Sequence, residues 1–243
     1  MTANTPDIVA NLASIRQRIG NAAKTAGRQP DDVRLIAVTK YMPCAYVETA
    51  MAAGHHCFGE NTLQGAMNKQ PLLDAPSNEW HFIGHLQTNK ARKVPAHFNW
   101  LHTLDSLKLA RKLSESALQA DTTLNVLLQV NIASDPDKYG LDTESVHAFA
   151  DNLLAAKLAG IRLCGLMTLG RRAADPGETR ASFAALRELG DSCAARFGVD
   201  HFRELSMGMS NDFELAVAEG ATMVRVGSAI FGPRPVSNDQ TLK

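Results

Sequence analysis

A lysine stands directly after the first apolar run of this sequence. The run VRLIAVT ends at Thr39, and Lys40 follows it before Pro43, which has the position of a helix-opening proline. A lysine at a strand end is ordinarily a solvated charge. In a partly desolvated pocket, however, such an amine loses its proton more readily and can attack a carbonyl to form an imine. Lys40 is therefore a candidate attachment point whose role depends on what surrounds it.

Two turns rich in glycine and serine follow the last two apolar runs. Gly208–Asp212 comes after FRELSM, and Gly227–Gly232 comes after TMVRV. Backbone N–H groups and serine hydroxyls at such turns can hold a phosphate group. Either turn alone could be an ordinary connection, with Ser210 as a helix N-cap. Because barrels commonly bind phosphate after their seventh and eighth strands, the pair predicts a phosphate site.

An arginine lies within the last apolar run. Val224 and Val226 share one face of that strand, so Arg225 lies on the other. If the valines pack outward, the guanidinium points inward and needs a partner, because an unpaired buried charge is costly. Glu60 could be that partner, or the ring nitrogen of a bound cofactor could be. A lysine, a phosphate cradle and an arginine at a ring nitrogen together describe a site for pyridoxal 5'-phosphate (PLP).

Short apolar runs alternate with helix-like stretches after residue 30. Several runs are apolar on both faces, which is typical of strands buried in a parallel sheet. Eight strand-then-helix units in this length fit an α/β fold, a single (β/α)8 TIM-type barrel with an additional N-terminal helix. A doubly wound open sheet is the alternative. The eight predicted strands are VRLIAVT, HCFG, WHFIG, NWLHTL, LNVLLQVN, IRLCGLM, FRELSM and TMVRVG.

The N-terminal helix is predicted from the apolar residues Ile8, Leu12, Ile15 and Ile19, which recur at helical spacing. Thr5 and Pro6 are its start signals and Gly27 its stop signal. The sequence therefore divides into an N-terminal helix at 1–30, a barrel at 31–234 and a polar tail at 235–243, which we expect to fray.

Composition excludes several other classes. The 25 basic residues balance the 25 acidic ones, so no global field favours nucleic acid or an anionic membrane. With no long apolar span or signal pattern, we expect a cytoplasmic protein. The four cysteines form no C-x-x-C pair, and the neighbours His55, His56 and Cys57 cannot all face one ion on a strand. We therefore expect no metal site.

Seven motifs, spread over nearly the whole chain, resemble the YggS/PROSC family of pyridoxal phosphate homeostasis proteins. The motifs are AVTK ending at Lys40, FGEN ending at Asn61, WHFIGHLQTNK at 80–90, VNI followed by KYG at 138–140, GLMTL from Gly165, LSMGMSND from Leu205, and VRVGSAIFG from Val224. The resemblance implies a barrel of the alanine racemase type, with PLP held as an imine on Lys40. Matched motif by motif, it implies that Ser210, Gly227 and Ser228 hold the phosphate, that Arg225 faces the ring nitrogen, and that Asn61, His85, Met167 and Ser206 line the pocket.

One loop departs from the family pattern. Where relatives carry a turn rich in serine and glutamate that ends in Lys-Ser-Gly, this chain has a proline and a bulky Tyr139 at 133–140. The change alters the surroundings of Lys138, the other lysine that could handle a cofactor.

The resemblance implies a binding protein that sequesters PLP and delivers it, as a monomer, to apo-PLP enzymes or vitamin B6 salvage enzymes. The residues agree, since a cation at Arg225 disfavours protonation of the ring nitrogen and weakens the cofactor as an electron sink. We also expect no second domain to supply an opposing base, and hence no efficient catalysis. The alternatives are a small PLP-dependent racemase or decarboxylase that uses Lys40 with His85 or Tyr41, and an aldolase-type barrel.

Overall fold

The apolar runs of the sequence form strands in the computed structural model, which describes residues 6–73, 75–133, 135, 137–170 and 175–234. Eight parallel strands pair in sequence order, and the last pairs with the first to close a barrel. The predicted (β/α)8 barrel is confirmed, and the open-sheet alternative is wrong. The strands are β1 (Arg34–Val38), β2 (Cys57–Glu60), β3 (Glu79–Phe82), β4 (Trp100–Leu104), β5 (Leu124–Gln129), β6 (Ile161–Met167), β7 (Glu204–Ser206) and β8 (Met223–Val226).

Helices surround the strands, and most crossovers contain at least one. The crossover between β3 and β4 contains no α-helix among its described residues and only a 3-10 helix at Thr88–Lys93. In the described part of the chain, no helix has the length and apolar character needed to cross a membrane. The α-helices are α1 (Ile8–Thr25), α2 (Cys44–Ala52), α3 (Leu63–Lys69), α4 (Leu107–Gln119), α5 (Val146–Ala155), α6 (Pro176–Phe197), α7 (Phe213–Ala218) and α8 (Ser228–Phe231).

Helix α1 precedes the barrel and packs against α7 and α8. Asp7 caps it by accepting from the Ala10 N–H at 3.0 Å, and Gly27 adopts a positive φ just beyond its end. Arg18 reaches Glu214 of α7 with two hydrogen bonds of 2.8 Å. The N-terminal helix thus supports the side of the barrel where β8 meets β1. The division at residues 30 and 234 stays a prediction, and the tail at 235–243 lies outside the described residues.

Alternation along the strands separates two cores. Val224 and Val226 belong to the large cluster between strands and helices, whereas Met223 belongs to a smaller cluster inside the barrel. Arg225 therefore points inward, as predicted, and it is almost completely buried. The carboxyl ends of the strands form one end of the barrel, here called the mouth, and their amino ends form the other end, here called the base.

Candidate functional site

Lys40 lies at the mouth, one residue beyond buried Thr39. The Met42 N–H donates to the Thr39 carbonyl at 3.0 Å, and Tyr41 inside this turn has a φ of 63°. The Lys40 side chain is exposed, so its amine lies in solvent and not in a partly desolvated pocket. Its position at the mouth is as predicted. An exposed amine here is open to a ligand that arrives from solvent.

Glu60, the proposed protein partner of Arg225, has a different partner. Its carboxylate accepts from Lys69 Nζ at 2.5 Å and from Thr39 Oγ1 at 2.7 Å. Lys69 also donates to the Thr39 carbonyl at 2.6 Å. Of the two partners considered for Arg225, Glu60 is therefore not the one, because it pairs with Lys69 of helix α3. The buried Glu60–Lys69 pair instead holds Thr39, the residue directly before Lys40.

Ser210 joins the two turns predicted to hold phosphate. Its Oγ accepts from the backbone N–H of Gly227 at 3.2 Å and from that of Ala229 at 3.4 Å. The alternative role of Ser210 as a helix N-cap is wrong, because Asp212 occupies the N-cap of α7. Two backbone amides directly after β8 thus donate to a side-chain oxygen in the turn after β7. Ser228, exposed, lies within the same segment.

Glycine is required at two places in this cradle. Gly208 has a φ of 89°, and a Cβ there would lie 2.5 Å from the Ala216 Cβ. A Cβ on Gly227 would lie 3.3 Å from the Val38 carbonyl oxygen. The turn after β8 therefore packs closely on the end of β1, two residues before Lys40. Because β7, β8 and β1 are neighbours, the lysine and both turns belong to one part of the mouth.

Arg225 donates to one group on β7 and to one group directly after β6. One Nη donates to Ser206 Oγ at 2.6 Å and the other to the Thr168 carbonyl at 2.9 Å. Burial lowers the pKa of Arg225 to about 10, although the nearby Asp212 carboxylate opposes the shift. The guanidinium stays charged at neutral pH, and these two contacts leave some of its five N–H donors for a ligand.

The remaining predicted lining residues lie at strand ends around the mouth. Met167 ends β6 and is fully buried, whereas Asn61 follows β2 and is half-buried. His85 is more exposed and stacks on Tyr139, with ring centroids 3.6 Å apart. Its Nδ1 lies 4.0 Å from Asp105. Burial raises the pKa of Asp105 above its ordinary value, although His85 opposes the shift. Ser206 is buried behind Arg225.

Lys138 has a structural contact in the loop that departs from the family pattern. Its Nζ donates to the Gly170 carbonyl at 2.9 Å and lies 3.7 Å from Asp135. These contacts join the segment after β5 to the segment after β6. Tyr139 beside it is exposed apart from the stack with His85.

The three adjacent residues first considered for a metal face different partners. His55 Nε2 contacts the Cys57 carbonyl oxygen, whereas His56 contacts Asn78. Cys57 instead lies beside Glu79 and His81 at the base. Among the described residues, these three have potential ligand atoms close enough together to hold one metal ion. His81 Nε2 lies 2.8 Å from Glu79 Oε1, so a hydrogen bond accounts for the contact.

Sequence reasoning missed His81 and His102. His81 Nδ1 lies 2.9 Å from His102 Nε2, and His102 Nδ1 lies 2.8 Å from Ser206 Oγ. Both histidines are completely buried inside the barrel. The sequence does contain a signal for their inward direction. Each histidine follows a residue that packs outward, Trp80 before His81 and Leu101 before His102. Their mutual contact depends on the register between β3 and β4, which the sequence does not specify.

Comparisons with known proteins define the class first. The sequence model of the alanine racemase N-terminal domain matches residues 10–235. An alanine racemase structure from Clostridium difficile has the same fold, with a TM-score of 0.70 at 17% identity over 99% of this chain and 62% of that one. The chain is thus a barrel of the alanine racemase N-terminal type.

More similar proteins narrow the family. A pyridoxal phosphate homeostasis protein from Pseudomonas aeruginosa is 46% identical over 93% of this chain and 96% of its own length. The Escherichia coli K12 protein of that name is 39% identical over 95% and 98%. PipY of Synechococcus elongatus with PLP bound has a TM-score of 0.82 at 39% identity over 93% of this chain and 100% of that one. This chain belongs to the pyridoxal phosphate homeostasis protein family.

Proposed function

We propose that this protein binds PLP at the barrel mouth and holds it covalently through Lys40. In this proposal Ser210, Gly227 and Ser228 hold the phosphate, Arg225 faces the ring nitrogen, and Asn61, His85 and Met167 line the site. Ser206 acts from behind Arg225. Bound PLP supplies an aldehyde carbon that links to an amine and a ring that accepts electrons.

One observation carries the proposal. Two backbone N–H groups after β8 are directed at an oxygen, Ser210 Oγ, on the turn after β7. A phosphate oxygen accepts the same kind of hydrogen bond, and a charged acceptor accepts it more strongly. Gly227, which donates one of these bonds, packs on the end of β1 close to Lys40. An amine, an anion cradle and an inward-facing cation match the aldehyde, the phosphate and the ring nitrogen of PLP, and PLP is the ligand in the PipY complex.

The same residues favour storage and delivery over catalysis. A guanidinium beside the ring nitrogen disfavours its protonation, because like charges lower a pKa. The ring then withdraws electrons weakly from a bound amino acid. Lys40 is exposed, so a covalent link at the mouth is open to exchange with amines from solvent. We therefore propose a cytoplasmic monomer that sequesters PLP and releases it to apo-PLP enzymes or vitamin B6 salvage enzymes.

Absorbance spectroscopy tests the binding proposal directly. Addition of PLP should produce a visible band, and borohydride should fix an adduct that peptide mass spectrometry locates on Lys40. Lys40→Ala should remove both signals and leave the circular dichroism spectrum unchanged. Lys90→Ala is the matched control, since Lys90 is another exposed lysine. An adduct on Lys138 alone, or no visible band with wild type, would refute the assignment.

A transfer assay tests delivery. The PLP-loaded protein is mixed with an apo-PLP enzyme in the presence of an amine that traps free PLP, and recovery of the enzyme's activity is followed. Delivery predicts faster recovery than the same amount of free PLP gives under the trap. Equal recovery would mean release into solvent only. Sedimentation of the loaded protein checks the monomeric state.

A further inference from the structure

We propose that a hydrogen-bonded chain of fixed polarity runs through the barrel core from Arg225 to Glu79, and that His102 and His81 are positioning residues that hold Arg225 toward the mouth. The five groups, from mouth to base, are Arg225, Ser206, His102, His81 and Glu79. The chain itself is independent of any ligand. Its effect on PLP rests on the proposed function.

The mouth end fixes one direction. Arg225 can only donate, so Ser206 Oγ accepts at 2.6 Å. The Ser206 hydroxyl can donate one hydrogen bond, and His102 Nδ1 lies 2.8 Å from its oxygen. If the hydroxyl donates to Nδ1, neutral His102 carries its own proton on Nε2. That proton is directed at His81 Nδ1, at 2.9 Å.

The base end independently fixes the same direction. Burial opposes ionisation of Glu79, but the hydrogen bond from His81 and the Arg34 guanidinium 3.3 Å away lower its pKa below the ordinary value, so the carboxylate is ionised. An ionised carboxylate can only accept, so His81 Nε2 carries a proton and donates at 2.8 Å. Neutral His81 then has a bare Nδ1, which accepts from His102. The tautomers that the base end requires are those that the contacts at the mouth end permit.

The agreement requires both histidines to be neutral. A protonated His81 would direct an N–H at His102 Nε2 and reverse the links from His102 to His81 and from Ser206 to His102. Burial disfavours such a charge, and it lowers the pKa of both rings. Glu79 and Glu204 favour a charge on His81, and Arg34 opposes it. Beside His102, the positive charges of Arg225 and Arg34 oppose protonation.

The fixed polarity has a consequence for Arg225. In each link the donor lies on the mouth side, so Ser206 and both imidazoles present an acceptor atom toward Arg225 and a donor toward Glu79, and their dipoles favour the positive guanidinium. Arg225 thereby remains charged in the core with no carboxylate hydrogen-bonded to it among the described residues. The proton of Ser206 is committed to His102. We infer that Ser206 orients Arg225 and does not itself donate to a ligand.

The imidazole tautomers provide a test that needs no cofactor. Nitrogen-15 NMR of histidine-labelled wild-type protein distinguishes rings that carry a proton on Nδ1 from those that carry it on Nε2. We expect both His81 and His102 as neutral Nε2–H tautomers at pH 7. Assignment comes from His81→Gln and His102→Phe. An Nδ1–H tautomer or a charged ring at either position would overturn the chain.

Arg225 itself provides the second readout. Its Nη–H signals should be protected from solvent exchange in wild type and lose at least tenfold protection in Ser206→Ala, which removes only the hydroxyl and whose circular dichroism spectrum checks that it is folded. His102→Phe should show the same loss. His147→Gln is the control, because His147 contacts Ser192 outside the barrel. Unchanged protection in both core variants would overturn the positioning role.

A PLP titration separates this inference from the proposed function. In variants that retain the wild-type melting temperature, loss of one orienting hydrogen bond should weaken PLP binding by about 2- to 10-fold and shift the visible band. An unchanged affinity and band in Ser206→Ala would refute the effect on PLP. If wild-type protein gave no band, the proposed function would fail, while the tautomers and the Nη–H exchange would still decide whether the chain exists.

Discussion

Ser210 Oγ lies 3.2 Å from the backbone nitrogen of Gly227, so a side chain after β7 is hydrogen-bonded to the turn after β8. The contact makes two separate turns into one unit that presents serine and backbone donors at the mouth. Gly227 in turn packs on Val38 of β1. The proposed phosphate cradle and Lys40 are consequently positioned by the same three neighbouring strands.

Removal of the Ser210 hydroxyl should weaken PLP binding. Loss of one hydrogen bond to a charged group typically costs about 1.5 to 3 kcal/mol, so Ser210→Ala should raise the Kd by roughly ten- to a hundredfold. The affinity is measured by fluorescence titration, with Ser192→Ala as a control far from the mouth. Pyridoxal without phosphate should bind wild type far more weakly. Equal affinities for pyridoxal and PLP would remove the argument for a phosphate cradle.

Substitution of Gly208 should destabilise the fold more than substitution of Gly27, although both have a positive φ. A Cβ on Gly208 meets Ala216 at 2.5 Å, whereas a Cβ on Gly27 has no neighbour within 4 Å. Backbone strain is common to both variants, and overpacking adds about 1 to 3 kcal/mol to Gly208→Ala alone. Urea denaturation measures the difference in free energy of unfolding. Equal losses would show that the strand-to-helix turn can relax.

Stability should fall as pH decreases from about 6.5 to about 4, in part because of His55. Burial lowers the pKa of His55 to about 4, while in the unfolded chain it is about 6.5. Between these values the unfolded chain binds the extra proton, so stability is lost as pH falls. His55→Gln retains a donor for the Cys57 carbonyl and does not titrate. The free energy of unfolding of this variant should therefore change about 2 kcal/mol less than that of wild type between pH 7.5 and pH 4.5. His147→Gln should keep the wild-type dependence.

Catalysis on amino acids should be slow or absent. In the proposed site the Arg225 cation would weaken the cofactor as an electron sink, and a positioned proton carrier ordinarily contributes about 10² to 10⁴ in rate. The PLP-loaded protein is incubated with a panel of L-amino acids in deuterium oxide, and Cα deuteration and enantiomer ratios are followed. Turnover near the ~1 to 10³ s⁻¹ usual for enzymes would favour the racemase alternative.

The sequence predicted the strands and the inward direction of Arg225 because both follow from local alternation of apolar residues. It did not predict the partners of buried polar groups. Glu60 pairs with Lys69 because α3 places that lysine beside it, and Ser210 reaches Gly227 because the two turns are adjacent. The histidine pair likewise depends on the register between strands. Each error concerns a contact between elements, which residue spacing alone does not specify.

Closure between β8 and β1 also determines when the site can form during synthesis. Lys40 leaves the ribosome early, but Arg225 and Gly227 belong to the last strand and the turn after it. A nascent chain that has not yet released β8 presents the amine without the cradle or the guanidinium. Contacts between distant parts of a chain form only after the intervening loop is closed, at an entropic cost. The complete ligand site is therefore a property of the finished barrel, and ligand bound across this seam stabilises the closed state by mass action.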